Sequence, residues 1–431
     1  MRQRHIVLTL LFLLSIITYV DRVCISVAGP RMQNELGLGP EQWGWVVGAF
    51  TLSYALFEVP SGAMADRIGG RRVLTRIVGW WSLFTSLTGV VSNFWTLLAV
   101  RFAFGAGEAG AYPCSASAVA RWFPSAQRAR AMATVWMASR LGGAISPLLV
   151  VPIQQSYGWR MSFYVFGVVG LVWCAVWYWW YRDRPELKSS VTPEEIREIG
   201  NPANEGHVAL PWAQVFKQRN FWIILAMYHT YCWGSYFYLS WLHTFLVKGR
   251  GMNEGEMKNL SWLPFVAGMI GNIFGGTISD RLVLRLGLKQ GRRIVGCAGL
   301  AMSGVFMLTC ALNPNGIAWG PLVLDGKVSG IVLLSLGYFS MDCMLPVAWA
   351  VCQDVGRKYA GAVSGSMNMA GQLGSFMSSI AFGYLVGAWG DYNLPLIPFS
   401  ASLMLSAFLF TRINPEQQLI PGDELPLPKA A

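Results

Sequence analysis

The sequence predicts an all-α integral membrane protein with twelve transmembrane helices in two six-helix, pseudo-symmetric bundles, and three observations carry that expectation. The 431 residues are 54% hydrophobic and only 13% charged, too little charge to cover the surface of a soluble domain. Long uncharged runs recur, among them His5–Tyr19, Met161–Tyr181 and Leu394–Phe410, close to the roughly 20 residues that cross about 30 Å of hydrocarbon. A polar motif appears twice at an offset of 214 residues, so the runs fall into two halves. The alternation a membrane β-barrel needs is not visible.

Apolar runs bounded by charge, Gly, Pro or Asn place the first six spans at 6–28, 43–65, 73–92, 94–120, 129–155 and 159–181, an N-terminal bundle over residues 1–181. A polar connector is expected over 182–217, marked by Pro185, Pro193, Glu194, Glu195 and Pro202. Six more spans follow at 219–247, 257–280, 294–312, 326–353, 360–388 and 393–412, a C-terminal bundle over 218–413 with a tail at 414–431. The 47 glycines are scattered through the apolar runs, where small residues let transmembrane helices approach closely. The short Met1–His5 start and the long apolar run after it predict a first span that is retained.

Charge sets the orientation. Outer segments would hold only Arg31, Arg160, Lys248, Arg250, Lys258 and Lys327, and three arginines lie within spans, while every other Lys and Arg falls in inner segments. That bias places both termini in the cytoplasm. The net charge of +11 therefore reflects topology, and no nucleic-acid partner is implied. The eight cysteines sit mostly in apolar runs without CxxC or His-rich spacing, so neither a disulfide framework nor a metal site is expected, and they read as packing residues.

The repeated motif is Gly62-Ala-Met-Ala-Asp66-Arg67 with Arg71-Arg72 after the second span, and Gly276-Thr-Ile-Ser-Asp280-Arg281 with Arg292-Arg293 after the eighth. Two six-span halves with matching inner loops are the sequence sign of a transporter whose substrate site lies between the repeats near the bilayer midplane. The first copy resembles the signature of the major facilitator superfamily. Tyr19-Val-Asp21-Arg22, the Arg101-to-Pro113 run with Glu108, and Trp122-Phe-Pro124 with Arg128-x-Arg130 are similar to its anion:cation symporter family, which includes galactonate, glucarate and hexuronate permeases and sialin. The resemblance covers nearly the whole chain, most strongly residues 15–130. It implies proton-coupled uptake of an organic anion by alternating access in a cell inner membrane, by a monomer without a cofactor, and sodium remains open as the coupling ion. Span 7 carries no arginine before its outer end, unlike sialin-like relatives, which favours a bacterial sugar acid such as a hexonate, hexarate or hexuronate.

An ionised group in hydrocarbon costs several kcal/mol unless it is paired, hydrated or functional, so the intramembrane charges are the site candidates. Asp21 and Arg22 are adjacent and point about 100° apart, so they need not pair with each other. Arg101 and Glu108 are seven residues apart, about 10 Å along one helix face, with Gly105, Gly107 and Gly110 expected to leave room around the carboxyl. A guanidinium matches a carboxylate in a fork, which makes Arg22 the first candidate for the substrate's anionic end and Arg140 the second. Asp21 and Glu108 are the candidate proton carriers, with Arg101 beside them, and Glu108 is the position that resembles the family's proton site. Tyr54, Tyr228, Tyr231, Trp349, Asn368 and Gln372 are candidates for recognising hydroxyls, Asn368 by its match to the permeases. Asp342 and Glu58 stay open between protonation and packing, and for every one of these charges a purely structural ion pair is the alternative.

Asp66, Arg67, Arg71 and Arg72 differ in kind. Their match to the superfamily signature implies an inner latch, with Asp280 and Arg281 as its weaker copy. Rival functions fit less well. A membrane enzyme leaves the repeat unexplained and finds no catalytic cluster among four histidines. A sensor would need a larger partner surface than the connector and tail offer. The remaining alternative, a proton-driven exporter of drugs or neutral solutes, would leave Arg22 and Arg140 buried without an anion to offset their desolvation.

Overall fold

The computed structural model describes residues 2–199, 211–319 and 322–420, apart from the side chains at 59, 62, 63, 65–67, 125, 126, 129, 318, 319, 322, 323 and 358. The first half comprises α1 (Gln3–Leu36), α2 (Pro40–Ile68), α3 (Gly70–Thr88), α4 in two pieces (Phe94–Glu108 and Ala111–Trp122), α5 (Ser125–Tyr157) and α6 (Trp159–Trp180). In the second half α7 runs over Arg219–Ser240 and continues through Leu242–Thr244 into a π turn at Phe245–Gly249. It is followed by α8 (Glu254–Leu260 and Leu263–Leu286), α9 (Leu288–Leu312), α10 (Gly326–Gly356), α11 (Ala360–Trp389) and α12 (Leu396–Arg412). Among the described residues, six stretches are long and apolar enough to cross a membrane on their own composition: Gln3–Leu36, Arg130–Tyr157, Trp159–Trp180, Glu254–Leu286, Leu288–Leu312 and Gly326–Gly356.

Helix ends follow local chemistry. α1 runs past its expected end to Gly37, whose left-handed φ of 64° lets its N–H reach back to the Gln33 carbonyl. A short antiparallel pair, β1 (Gly316–Trp319) and β2 (Leu322–Asp325), joins α9 to α10 with Gly316 opposite Asp325. The Asp325 carboxylate then accepts the Val328 N–H and caps α10.

The repeat seen in the motif governs packing. Within the first half α1 packs on α5, α2 on α4 and α3 on α6, and within the second α7 packs on α11, α8 on α10 and α9 on α12. Between the halves α2 meets α11 and α5 meets α8, which are equivalent contacts under the repeat. A Cβ on Gly44 would stand 2.8 Å from the Ser379 carbonyl, so the α2–α11 approach depends on glycine there.

This junction is uneven along its length. At the end away from the termini, Val27, Met32, Trp43 and Val47 share one apolar core with Phe237, Leu242, Phe245 and Phe382 of the other half. Ser26 Oγ meets His243 Nδ1 at 2.9 Å, Lys248 Nζ donates to Gln33 at 3.0 Å, and Arg31 Nη2 donates to Glu254 at 2.7 Å. At the terminal end Val7, Leu11, Val73, Trp122 and Trp177 form a separate core inside the first half. Among the described residues no hydrogen bond or ion pair joins the bundles nearer that end than Glu58 and Asn368.

The connector is more than a tether. Its helix Pro193–Ile199 presents buried Glu195 to the start of α1, where the carboxylate accepts the Gln3 and Arg4 N–H groups at 3.0 and 2.9 Å. In the tail, Leu419 is buried and its N–H donates to the Val355 carbonyl at the end of α10.

Candidate functional site

Charge inside the bundles gathers at mid-depth. Arg22, on the polar stretch of α1, donates from Nε to Glu108 Oε1 at 2.5 Å, and its guanidinium lies over Tyr54 at 4.9 Å, Phe50 at 5.1 Å and Tyr19 at 5.4 Å. The pair is half-made: Arg22 Nη2 and Glu108 Oε2 are buried without hydrogen-bond partners. Asp21 turns away, as adjacency on a helix requires, and accepts a long 3.4 Å bond from Thr85 of α3. Arg101 is buried over Phe104 at 4.5 Å and Phe50 at 5.4 Å, one side of the same aromatic wall that holds Arg22.

The glycines near Glu108 act differently from the expectation that they leave space. A Cβ on Gly105 would stand 2.4 Å from the Phe50 carbonyl, and one on Gly107 would stand 1.8 Å from the Trp80 ring, so both are filled contacts between helices. Gly110, at φ 94°, is where the expected continuous fourth span breaks, two residues past Glu108.

A second charge pair crosses between the halves. Arg140 of α5 donates from Nη1 to the Tyr338 hydroxyl at 2.7 Å and from Nη2 to Asp342 of α10 at 3.1 Å, and Asp342 is fully buried. Tyr19 faces Arg22, and a Cβ on Gly142 of α5 would stand 2.7 Å from the Ile16 carbonyl and 3.0 Å from Tyr19 Cβ, so α1 and α5 approach closely here. Aromatic rings floor the space, with Tyr112 stacked on Trp136 at 4.3 Å and Trp136 reaching Trp349 of α10 at 6.2 Å. Tyr228 and Tyr231 pack together at 5.2 Å on α7. Asn368 of α11 donates to both oxygens of Glu58 at 2.8 Å, and Gln372 is half-buried one turn along.

The structure therefore brings Arg22, Glu108, Arg101, Tyr54 and Asp21 into one cluster, Arg140 and Asp342 into another, and Asn368 with Glu58 into a third. Sequence inspection missed Tyr338, which lies four residues before Asp342 on the same helix face and was legible from that spacing. It also missed Trp136 and Tyr112, whose roles depend on where α4 and α5 converge.

At the terminal end the Asp66 and Arg67 side chains lie outside the described residues. Arg71 donates to the Tyr178 carbonyl at 2.6 and 2.8 Å, its backbone N–H donates to Asp183 at 2.9 Å, and Asp183 also meets Arg121 at 3.5 Å; Arg72 is exposed. In the second half Arg292 takes the central place, reaching Asp280 at 2.9 Å, Ser279 at 3.0 Å and Asp354 at 3.3 Å. Asp280 thus pairs with Arg292, not with its neighbour Arg281. Asp183 and Asp354 are the carboxylates that meet these arginines, and the motif did not include them. Among the described residues no cluster of His, Cys, Asp or Glu is arranged to hold a metal.

Comparison with known proteins agrees with this architecture. Residues 11–379 match the model of the Major Facilitator Superfamily. The probable sulfoacetate transporter SauU of Cupriavidus necator is 34% identical over 96% of this chain and 94% of its own length. The hexuronate transporter of Bacillus subtilis is 28% identical over 90% of this chain and 89% of its own, and the probable galactarate/D-glucarate transporter GudP of the same species is 29% identical over 91% and 88%. In fold, the chain superposes with a TM-score of 0.76 on the crystal structure of a bacterial homologue of the human lysosomal transporter Spinster in an inward-facing, unoccupied conformation, at 17% identity over 95% of this chain and 96% of that one. The repeated six-helix bundles, the charged motif at their terminal ends and these matches together make the chain a membrane transporter that belongs to the Major Facilitator Superfamily.

Proposed function

We propose that this transporter imports a small organic anion, a sugar acid or a similarly short acid such as sulfoacetate, by proton symport across the cell inner membrane. Both termini are cytoplasmic in this reading, the protein works as a monomer, and the apolar core and polar contacts that join the halves away from the termini are the closed outer side of an alternating-access cycle.

The observation that carries the proposal is the half-made pair of Arg22 and Glu108. An arriving acid group takes the free edge of the Arg22 fork and competes with Glu108 for the rest. A carboxylate parted from its guanidinium in a dry bundle is strongly disfavoured, so Glu108 takes a proton as the anion binds. When Glu108 loses that proton on the cytoplasmic side it reclaims Arg22 and expels the anion. Asp21, on the same helix with only a long hydrogen bond, is a second place for a proton along this route. The relatives support the substrate class, since transporters named for sulfoacetate, hexuronate and galactarate/glucarate share an anionic group and little else.

The test is a thermal-shift screen of the purified protein against sulfoacetate, sugar acids, amino acids and neutral sugars, because a ligand of the folded state raises its melting temperature by mass action. Stabilisation by an acid that disappears in Arg22→Ala is the expected result. Hits confined to neutral or cationic compounds would overturn the proposal. Uptake into proteoliposomes under an imposed pH gradient, with and without sodium, then identifies the coupling ion.

A further inference from the structure

Two buried cations face the junction, and they are neutralised in different ways. Arg22 is paired within its own half, and Arg140 is paired only by reaching across to Asp342 and Tyr338 of the other half. Their side chains are 10% and 12% exposed, so neither is solvated as a surface arginine would be. Tyr19 faces the Arg22 guanidinium at 5.4 Å, and ring contacts run from Tyr112 of α4 through Trp136, one turn before Arg140 on α5, to Trp349 of α10, so aromatic rings flank both guanidinium groups.

We propose that the substrate is a dianion with one acid group at each end, the first held by Arg22 and the second by Arg140 in place of Asp342, and that Asp342 takes up a second proton as it is displaced. This rests on the anion-import reading and adds the number of charges the substrate carries.

Three features support it. The Arg140–Asp342 contact is made through a single nitrogen, Nη2, which lies 3.1 and 3.0 Å from the two carboxylate oxygens, so the pair lacks the parallel two-nitrogen geometry of a tight fork and a second carboxylate or sulfonate can take its place. The Asp342 carboxyl is fully buried and faces Arg140 from α5, Tyr338 on its own helix and Tyr231 from α7, with no other cation among the groups acting on it. Once Arg140 is taken, nothing remains to offset a charge on Asp342, and a proton must. The contact also joins the two halves, so a substrate that breaks it acts on the junction that alternating access must rearrange. A monoanion would satisfy Arg22 and leave this joint unmoved.

Matched pairs of compounds decide the matter. Sulfoacetate is compared with isethionate, in which a hydroxymethyl group replaces the carboxylate, and glucarate with gluconate, which lacks one terminal acid. Affinity is read by thermal shift and titration on the full-length protein, and proton uptake on binding by a pH indicator in weak buffer. The dianion of one pair should bind at least about tenfold more tightly than its monoanion, the scale of one charge-assisted contact, and should carry one more proton into the protein. In the Arg140→Gln/Asp342→Asn double variant, which leaves no buried charge unpaired, that preference and the extra proton should both vanish. Equal or tighter binding of the monoanion, or a preference and proton count unchanged in the double variant, overturns the dianion proposal while leaving anion import intact. Absence of binding by all four acids, with a neutral or cationic hit elsewhere in the screen, overturns both.

Discussion

The first half of the molecule supplies all three intramembrane arginines, Arg22, Arg101 and Arg140, whereas the equivalent helices of the second half supply Tyr228 and Tyr231 on α7, Asp342 on α10 and Asn368 on α11. The scaffold repeats faithfully and the chemistry does not. Helix pairings are constrained by backbone geometry, and both copies keep them together with a charge motif at their terminal ends. In the proposed site the work is divided: the first half holds the cations, and the second contributes a carboxylate, an amide and aromatic rings. The two reaching contacts, Arg140 with Asp342 and Asn368 with Glu58, cross the junction in opposite senses.

Removing a cation from the first half tests this division most severely. Arg22→Ala should abolish substrate-induced stabilisation, a loss of about 100-fold or more in affinity on the scale of breaking a buried pair, while the variant still purifies folded. Retained affinity would remove Arg22 from the site. Next, Glu108→Gln should remove uphill accumulation under a pH gradient while sparing counterflow exchange; an unchanged pH dependence of uptake would place the proton elsewhere. The cross-junction pair should show itself in a double-mutant cycle of thermal stability: Arg140→Gln and Asp342→Asn singly each leave a buried group unpaired, and the double variant should recover about 1–3 kcal/mol relative to their sum. Additive losses would mean that the two residues do not act as a pair. The smallest effects belong to the acidic partners of the repeated motif, where Asp183→Asn in one half and Asp354→Asn in the other should each slow transport by less than about fivefold, since partly exposed ion pairs contribute little, with affinity unchanged. A change in substrate preference from either would break the separation of latch from site.

Much of the fold was legible because the bilayer imposes a length and a polarity on every span. The run around Met161–Tyr181 corresponds to the helix Trp159–Trp180. The break at Gly110 was not, because an apolar run reads the same whether it is one helix or two pieces turned about a single glycine of positive φ. Nor was the role of Glu195: an acidic residue in a polar linker looks solvated until the start of α1 is seen against it.

The amino-acid order alone determined the membrane class, the two-fold repeat and the short roster of costly charges, because hydropathy, periodicity and the rarity of intramembrane ions are local or additive properties of the chain. Only the tertiary structure decided which charge answers which. Glu108 shares a helix with Arg101 yet pairs with Arg22, 86 positions away, and Arg140 finds Asp342 at a separation of 202. Pairing energy depends steeply on distance and dielectric, and both are set by how helices far apart in sequence come together.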